Sequence, residues 1–140
     1  MAEPFILLIA DRNRHVRDLL RREFVADGYV VQLAKDDREL LDLIERNFPL
    51  DLVIFDLEIP CEGGPELLEQ LQENKPFLPV VIHTFLTEYA AHDAVKKCAA
   101  FVEKSGHSID PLKQAVESVL RLRYPQRFPA ASAFQQENPP

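Results

Sequence analysis

The 140-residue sequence has no tryptophan, only two cysteines and no long apolar run. Neither Cys61 and Cys98 nor the four histidines are spaced as zinc ligands, so no zinc site is expected. No stretch approaches the roughly 18 apolar residues of a membrane span. The start, MAEPFILLIADR, lacks the basic region of a signal peptide. We therefore expect a cytoplasmic protein without a membrane partner, in which both cysteines are free thiols.

The chain also lacks the positive charge of a nucleic-acid-binding protein, because its formal net charge is −7. One local exception is a group of arginines near the amino terminus: Arg12, Arg14, Arg17, Arg21 and Arg22. These residues are either a solvated helix face, balanced by Asp18 and Glu23, or a docking surface for an acidic partner.

Apolar runs of strand length recur five times, at residues 5–9, 29–33, 50–55, 78–82 and 99–102. Several are continuously apolar, as in strands that are covered on both faces. Helical patterns separate and follow them, at 16–24, 40–44, 67–71, 87–97 and 112–120, the fourth being weak and rich in alanine. This alternation predicts an α/β fold with a five-stranded, parallel, doubly wound sheet.

The punctuation between these patterns agrees with the alternation. Gly28 is placed to end the first helix, Asp36 or Asp37 to cap the second, and Asp110 to cap the fifth. We expect one domain over residues 4–122. Residues 123–140 contain four prolines and no apolar period, which predicts a flexible tail.

Polar residues follow four of the predicted strands. Asp11, Asp56, Thr84 and Lys104 stand at the carboxyl ends, where open α/β sheets place their functional groups. A carboxylate can accept a phosphoryl group as a mixed anhydride, while a second carboxylate holds a divalent cation. A hydroxyl and an amine can donate to the phosphoryl oxygens.

Three segments carry a resemblance to the receiver domain of two-component response regulators. DLVIFDLEIPCEGGPELLEQL is similar to the family's phosphoacceptor segment, with Asp56 as acceptor and Pro60 and Gly64 at the expected spacings. PVVIHTF matches the fourth strand with Thr84 as the switch hydroxyl, and CAAFVEKS the fifth with Phe101 as the switch aromatic and Lys104 as the lysine.

The resemblance implies a flavodoxin-like receiver fold and a non-enzymatic phosphorelay module. Asp56 would take a phosphoryl group from a sensor histidine kinase or phosphotransfer protein. Asp11, Asp56 and Glu58 are then the candidate Mg²⁺ ligands. Output would pass by protein contact to a downstream effector, with a homodimer as one form.

In the register that we favour, the sequence departs from the family at the second acidic residue of the first strand end, where Arg12 stands. A shift by one residue would instead place Ala10 and Asp11 at the two acidic positions. Three roles are open for Arg12: it weakens the Mg²⁺ site, replaces the cation at a phosphoryl group, or locks the site by pairing with Asp56. Glu58 is either a substitute ligand or, as we favour, the partner of Arg12. Phe85 replaces a small residue and would restrict access to Asp56, and Ser105 replaces a proline.

The main alternative is a pseudo-receiver, an interaction module that works without phosphorylation. A phosphatase of the haloacid-dehalogenase type is disfavoured, because it needs an aspartate two residues after the nucleophile and Glu58 stands there. A flavodoxin-like cofactor binder is disfavoured because no glycine-rich or Ser/Thr-rich phosphate loop follows the first strand.

Overall fold

The computed structural model describes residues 3–128. Strands and helices alternate along the chain, and two short 3₁₀ helices at Thr87–Ala91 and Pro125–Arg127 interrupt the series. The elements are β1 (Ile6–Ala10), α1 (Arg14–Ala26), β2 (Val30–Ala34), α2 (Asp37–Glu45), β3 (Leu52–Phe55), α3 (Gly64–Asn74), β4 (Val80–Thr84), α4 (Asp93–Lys96), β5 (Ala100–Glu103) and α5 (Asp110–Arg123).

The strands form one parallel sheet in the order β2-β1-β3-β4-β5, which confirms the predicted fold class. Each strand begins one or two residues later than its apolar run in the sequence. The order places β1 and β3 side by side at the centre. Because all strands are parallel, their carboxyl ends meet at one edge of the sheet.

Helices cover both faces of the sheet, and each face has its own apolar core. Residues of α2, α3 and α4 pack on one face around Phe55 and Leu68, and residues of α1 and α5 on the other around Phe24 and Val116. This two-sided burial explains why the strands are continuously apolar rather than alternating.

The helix ends follow the sequence signals with two differences. Gly28 has φ +97°, the left-handed conformation that glycine adopts readily at a helix end, and Asp36 caps α2 by accepting from Glu39 N at 2.9 Å. Asp110, predicted as a cap, is instead the first residue of α5, and Ser108 Oγ accepts its N–H at 3.0 Å. Asn13, which the sequence reading overlooked, caps α1.

The predicted fourth helix is the element that differs most. In place of one helix over residues 87–97, the structure has the 3₁₀ helix Thr87–Ala91 and then α4, only four residues long. His92 separates the two, with extended backbone and its ring Nδ1 accepting from Ala94 N at 3.1 Å. Only Ala94 and Val95 of α4 are buried, which explains the weak apolar pattern.

The segment after α5 is ordered where the sequence predicted the start of a flexible tail. Tyr124 and Phe128 both lie against Phe5, with ring centroids 5.8 and 5.5 Å away. Arg127 bonds to Asp51 Oδ1 at 2.6 Å and stacks over Phe5 at 4.1 Å. Residues 124–128 are thus packed on the domain, while residues 129–140 of the predicted tail lie outside the described part of the chain.

A search of the described residues finds no helix with the length and apolar character needed to cross a bilayer.

Candidate functional site

The four predicted site residues come together at the carboxyl edge of the sheet. Main-chain bonds continue the ladder past the strand ends, with Asp56 N donating to Ala10 O and Lys104 N to Thr84 O, both at 2.9 Å. Asp11, Asp56 and Thr84 are all at most 2% exposed. Two carboxylates, a hydroxyl and an amine thus share one buried edge.

Lys104 joins the two aspartates. Its Nζ lies 2.8 Å from Asp11 Oδ2 and 3.2 Å from Asp56 Oδ2, and its side chain is 7% exposed. Charges buried this deeply need partners, because an unpaired one would carry a large desolvation penalty. The lysine therefore holds the carboxylates in one arrangement and neutralises part of their charge.

The remaining carboxylate oxygens are fixed by the main chain. Asp11 Oδ1 accepts from Asn13 N at 2.8 Å, and Asp56 Oδ1 accepts from Glu58 N at 3.0 Å. Arg17 Nη1 donates to the carbonyl oxygen of Asp11 at 2.7 Å. Burial raises the pKa of Asp11 above its ordinary value, although its bonds to Lys104 and Asn13 act in the opposite direction.

Arg12 does not pair with Asp56. Its Nη2 pairs with Glu58 Oε2 at 2.7 Å, which agrees with the favoured interpretation of Glu58 as its partner. The proposed lock between Arg12 and Asp56 is absent from the structure, and the Arg12 side chain is 55% exposed. Glu58 is consequently tied to a cation instead of being available as a free carboxylate.

The two phenylalanines and the threonine lie around this edge. Thr84 Oγ accepts from Leu86 N at 3.1 Å. The Phe85 ring is largely exposed, and its centroid is 5.4 Å from Lys104 Nζ, a cation–π geometry. Phe101 is half-buried against the core under α2, α3 and α4. Phe85 thus contacts the lysine of the site, and Phe101 contacts the core beneath it.

His83 lies in β4 directly before Thr84 and lacks a full set of hydrogen-bond partners. The residue is buried in β4, but its Nδ1 has no hydrogen-bond partner within the described chain. Burial, together with the positive charge of Lys104, lowers the pKa of His83 to about 4, and Asp56 opposes this shift. The unusual position of the histidine directly before Thr84 was the available sequence signal.

Comparison with known proteins decides the family. Residues 7–117 match the family model described as the response regulator receiver domain. The chain belongs to this family. The predicted fold class and family resemblance are therefore confirmed, and the chain is a receiver module of phosphorelay signalling.

The relatives and solved structures agree. The receiver is 35% identical over 121 residues, 86% of its length, to the response regulator MprA of Mycobacterium sp. strain KMS. It spans about half the length of the curated relatives it matches. TrrA of Thermotoga maritima, solved in complex with Mg²⁺–BeF, is 27% identical with a TM-score of 0.75, covering 83% of this chain and 99% of that one.

A second structure shows TrrA in complex with the histidine kinase ThkA, again 27% identical, with a TM-score of 0.72 and coverage of 83% and 98%. The Francisella response regulator 1452 receiver domain is also 27% identical, with a TM-score of 0.73 and coverage of 85% and 98%. The fold is thus that of receivers.

The donor set at this edge fits Mg²⁺ in kind. Asp11 and Asp56 offer neighbouring carboxylate oxygens, which are the hard ligands that Mg²⁺ takes. Counting Glu58, three carboxylates face the two cations Arg12 and Lys104. The edge therefore retains negative charge, but less than it would have with an acidic residue in place of Arg12.

Proposed function

We propose that Asp56 is the phosphoacceptor of this receiver. The observation that carries the proposal is the position of its carboxylate, buried at the centre of the sheet edge and 3.2 Å from Lys104 Nζ. In the transfer, a carboxylate oxygen of Asp56 forms a bond to phosphorus while the N–P bond of a phosphohistidine breaks, and the histidine nitrogen keeps the electron pair. The donor is a sensor histidine kinase or a phosphotransfer protein.

Lys104 and Thr84 respond to the new group. The ammonium of Lys104 moves from its two carboxylate partners to the phosphoryl oxygens, and the hydroxyl of Thr84 donates to the same group. Phe101 then swings inward and changes the surface of α4, β5 and α5. A downstream protein reads that surface, either with a single receiver or with a homodimer.

Asp11 and Asp56 are the residues that would hold Mg²⁺, with Glu58 contributing only if it leaves Arg12. The cation supplies neutralisation of the phosphoryl oxygens during transfer. Since Arg12 removes one carboxylate and adds a positive charge, we propose that this receiver binds Mg²⁺ more weakly than its Arg12→Asp variant.

Acetyl phosphate with Mg²⁺, followed by intact mass measurement, tests the acceptor. We expect one phosphoryl adduct on the wild type and none on Asp56→Asn, which keeps the shape of the side chain. An adduct of equal yield on Asp56→Asn would place the acceptor elsewhere and refute the proposal.

The same assay, combined with calorimetric titration of Mg²⁺, tests the role of Arg12. We expect Arg12→Asp to tighten Mg²⁺ binding at least about tenfold and to speed adduct formation. Arg14→Asp makes the same charge change at a position whose side chain is 83% exposed and pairs with Asp18. Arg14→Asp should leave the Mg²⁺ affinity nearly unchanged. An equal increase in affinity in both variants would show that the effect of Arg12→Asp comes only from the change in net charge.

The second candidate function is a constitutive interaction module. It is favoured by the double ion pair of Lys104, which holds both aspartates in place without a metal cation. Wild type that stays unmodified while Arg12→Asp gains an adduct would support this function, with Arg12 as the residue that abolished phosphorylation. In either case we expect the protein to act in the cytoplasm.

A further inference from the structure

A cluster of three potential metal ligands lies where the beginning of α3 meets the beginning of α4. None of the three belongs to the acceptor edge, our name for the group Asp11, Asp56, Thr84 and Lys104. Glu66 and Glu69 stand one turn apart on α3, and His92 precedes α4. One ligand atom from each residue lies within 4.8 Å of the other two. No spacing pattern in the sequence indicates this group, because a loop, β4 and a 3₁₀ helix separate the histidine from the glutamates.

We propose that Glu66, Glu69 and His92 form a binding site for a divalent transition-metal cation, with Zn²⁺ as its best occupant. Zn²⁺ bonds of about 2.1 Å put tetrahedral ligand atoms about 3.4 Å apart, so the three atoms need to close by little more than about 1 Å. A water molecule completes four ligands. The imidazole nitrogen favours Zn²⁺ over Mg²⁺, which prefers oxygen ligands.

The charges around the cluster favour a cation. Glu66 and Glu69 are like charges three residues apart on one helix, an arrangement that destabilises a helix. Within residues 3–128, neither carboxylate has a Lys, Arg or His nitrogen within 4.0 Å. A bound cation would relieve this repulsion, which only the amino-terminal end of α3 offsets at Glu66.

The contact between α3 and α4 keeps the three potential ligands close together. Gln72 Nε2 donates to Ala94 O at 2.8 Å, which ties α3 to α4 one turn beyond Glu69. Gly63 leaves room for the Glu66 carboxylate, because a Cβ at that position would collide with Glu66 Oε1. The two helices therefore present the carboxylates and the imidazole to one another without rearrangement of the main chain.

Metal binding competes with the cap of α4. His92 Nδ1 accepts from Ala94 N, so in this arrangement the ring proton is on Nε2. A cation at Nδ1 displaces the Ala94 N–H, and a cation at Nε2 moves the proton to Nδ1, so α4 loses its cap either way. Because the lost capping bond offsets part of the free energy of metal binding, we expect a moderate affinity for Zn²⁺.

Calorimetric titration with Zn²⁺ alone tests the site, with His92→Asn and Glu69→Gln as variants. Asparagine still offers a capping oxygen, so the first variant removes the ligand and keeps the cap. We expect one Zn²⁺ per wild-type chain and at least about tenfold weaker binding in each variant. Glu73→Gln, an equal charge loss further along α3, should change the affinity by no more than about twofold.

The Asp56→Asn variant in excess Mg²⁺ separates this site from the acceptor edge. Zn²⁺ binding should persist there unchanged, whether or not Asp56 proves to be the phosphoacceptor. The proposal is overturned if wild type shows no saturable binding, if His92→Asn binds as tightly as wild type, or if binding is lost in Asp56→Asn or Cys61→Ser instead. Equal thermal unfolding of all variants in a chelator confirms that they are folded.

Discussion

His83 is the residue whose ionisation opposes folding most clearly. It lies in β4 one residue beyond Ile82, which pairs with Phe55, and so stands laterally next to Asp56. Its ring is 6% exposed, and its pKa falls from the ordinary 6.5 to about 4. Between these two pH values the unfolded chain binds more protons than the folded chain, so the free energy of unfolding rises with pH.

We therefore predict that acidification from pH 6.5 to pH 4 destabilises the protein through His83. Over this range, the free energy of unfolding should fall in both proteins. The fall should be smaller in the His83→Leu variant than in wild type, by up to roughly 3 kcal/mol. Urea denaturation at several pH values measures it. His107→Leu, at an exposed histidine, is the control, and parallel pH profiles of wild type and His83→Leu would show that the ring does not titrate in this way.

Asp11 modifies the same profile with the opposite sign. Because burial raises its pKa, the folded chain binds the extra proton just above pH 3.8, and stability there falls as pH rises. The comparison of wild type with His83→Leu removes this contribution, since Asp11 is present in both.

The sequence predicted that Asp11, Asp56, Thr84 and Lys104 lie at one edge of the sheet. It did not predict which side chains pair with one another there. Strand-end placement follows from the apolar runs, whereas the pairing of Lys104 with both aspartates depends on where long side chains settle. The same applies to Arg12, whose pairing with Glu58 was one of several arrangements consistent with the sequence. The charges and spacing of residues in a sequence limit which ion pairs are possible, but they do not determine which of those pairs form.

At the scale of the element, α3 begins with a close approach to the loop after β3. Gly64 is buried in the first turn, and a Cβ added there would overlap Leu57 O, a main-chain atom that cannot rotate away. Gly64 therefore determines how close α3 can lie to β3 and to the loop that follows it.

We predict that Gly64→Ala destabilises the protein by about 2 kcal/mol, despite the roughly 1 kcal/mol by which alanine favours a helix. Thermal or urea unfolding measures the change. Gly106→Ala is the matched control, because a Cβ there has nothing within 4 Å, and it should change stability by less than about 0.5 kcal/mol. Equal effects of the two substitutions would contradict the steric explanation.

Four of the five helices could be predicted, because each has at least three apolar residues at helical spacing. The region of α4 could not, since Thr87–Ala91 buries none of its residues and α4 buries only two. A short element held by a histidine cap leaves no periodic signal in the sequence. Likewise, the anchoring of residues 124–128 rests on aromatic contacts with Phe5, which lies 119 residues earlier than Tyr124.

At the scale of the molecule, the segments at the two ends of the described chain meet at the sheet edge opposite Asp56. We call this set of contacts the closure. Asp51 is the centre of this closure: its Oδ2 accepts from Ile6 N, its carbonyl from Tyr124 Oη, both at 2.8 Å, and its Oδ1 from Arg127. The closure connects the beginning of β1, the approach to β3 and the segment after α5.

Arg127→Ala should lower the free energy of unfolding by about 2 kcal/mol, because it removes a partly buried charged hydrogen bond and a cation–π contact. Arg46→Ala, which also deletes an Arg–Asp pair, is the control; both partners there are more than 60% exposed, and we expect a loss below about 0.5 kcal/mol. Chemical denaturation of both variants makes the comparison, and equal losses would show that the closure adds nothing beyond an ordinary surface pair.

This closure also fixes where the chain leaves the domain. Phe128 lies against Phe5, just before β1, whereas Asp11 follows β1, so the length of that strand, about 20 Å, separates the exit from the acceptor edge. A conformational change at the sheet edge that carries Asp56 would therefore have to pass along the full length of the strands to reach Phe128.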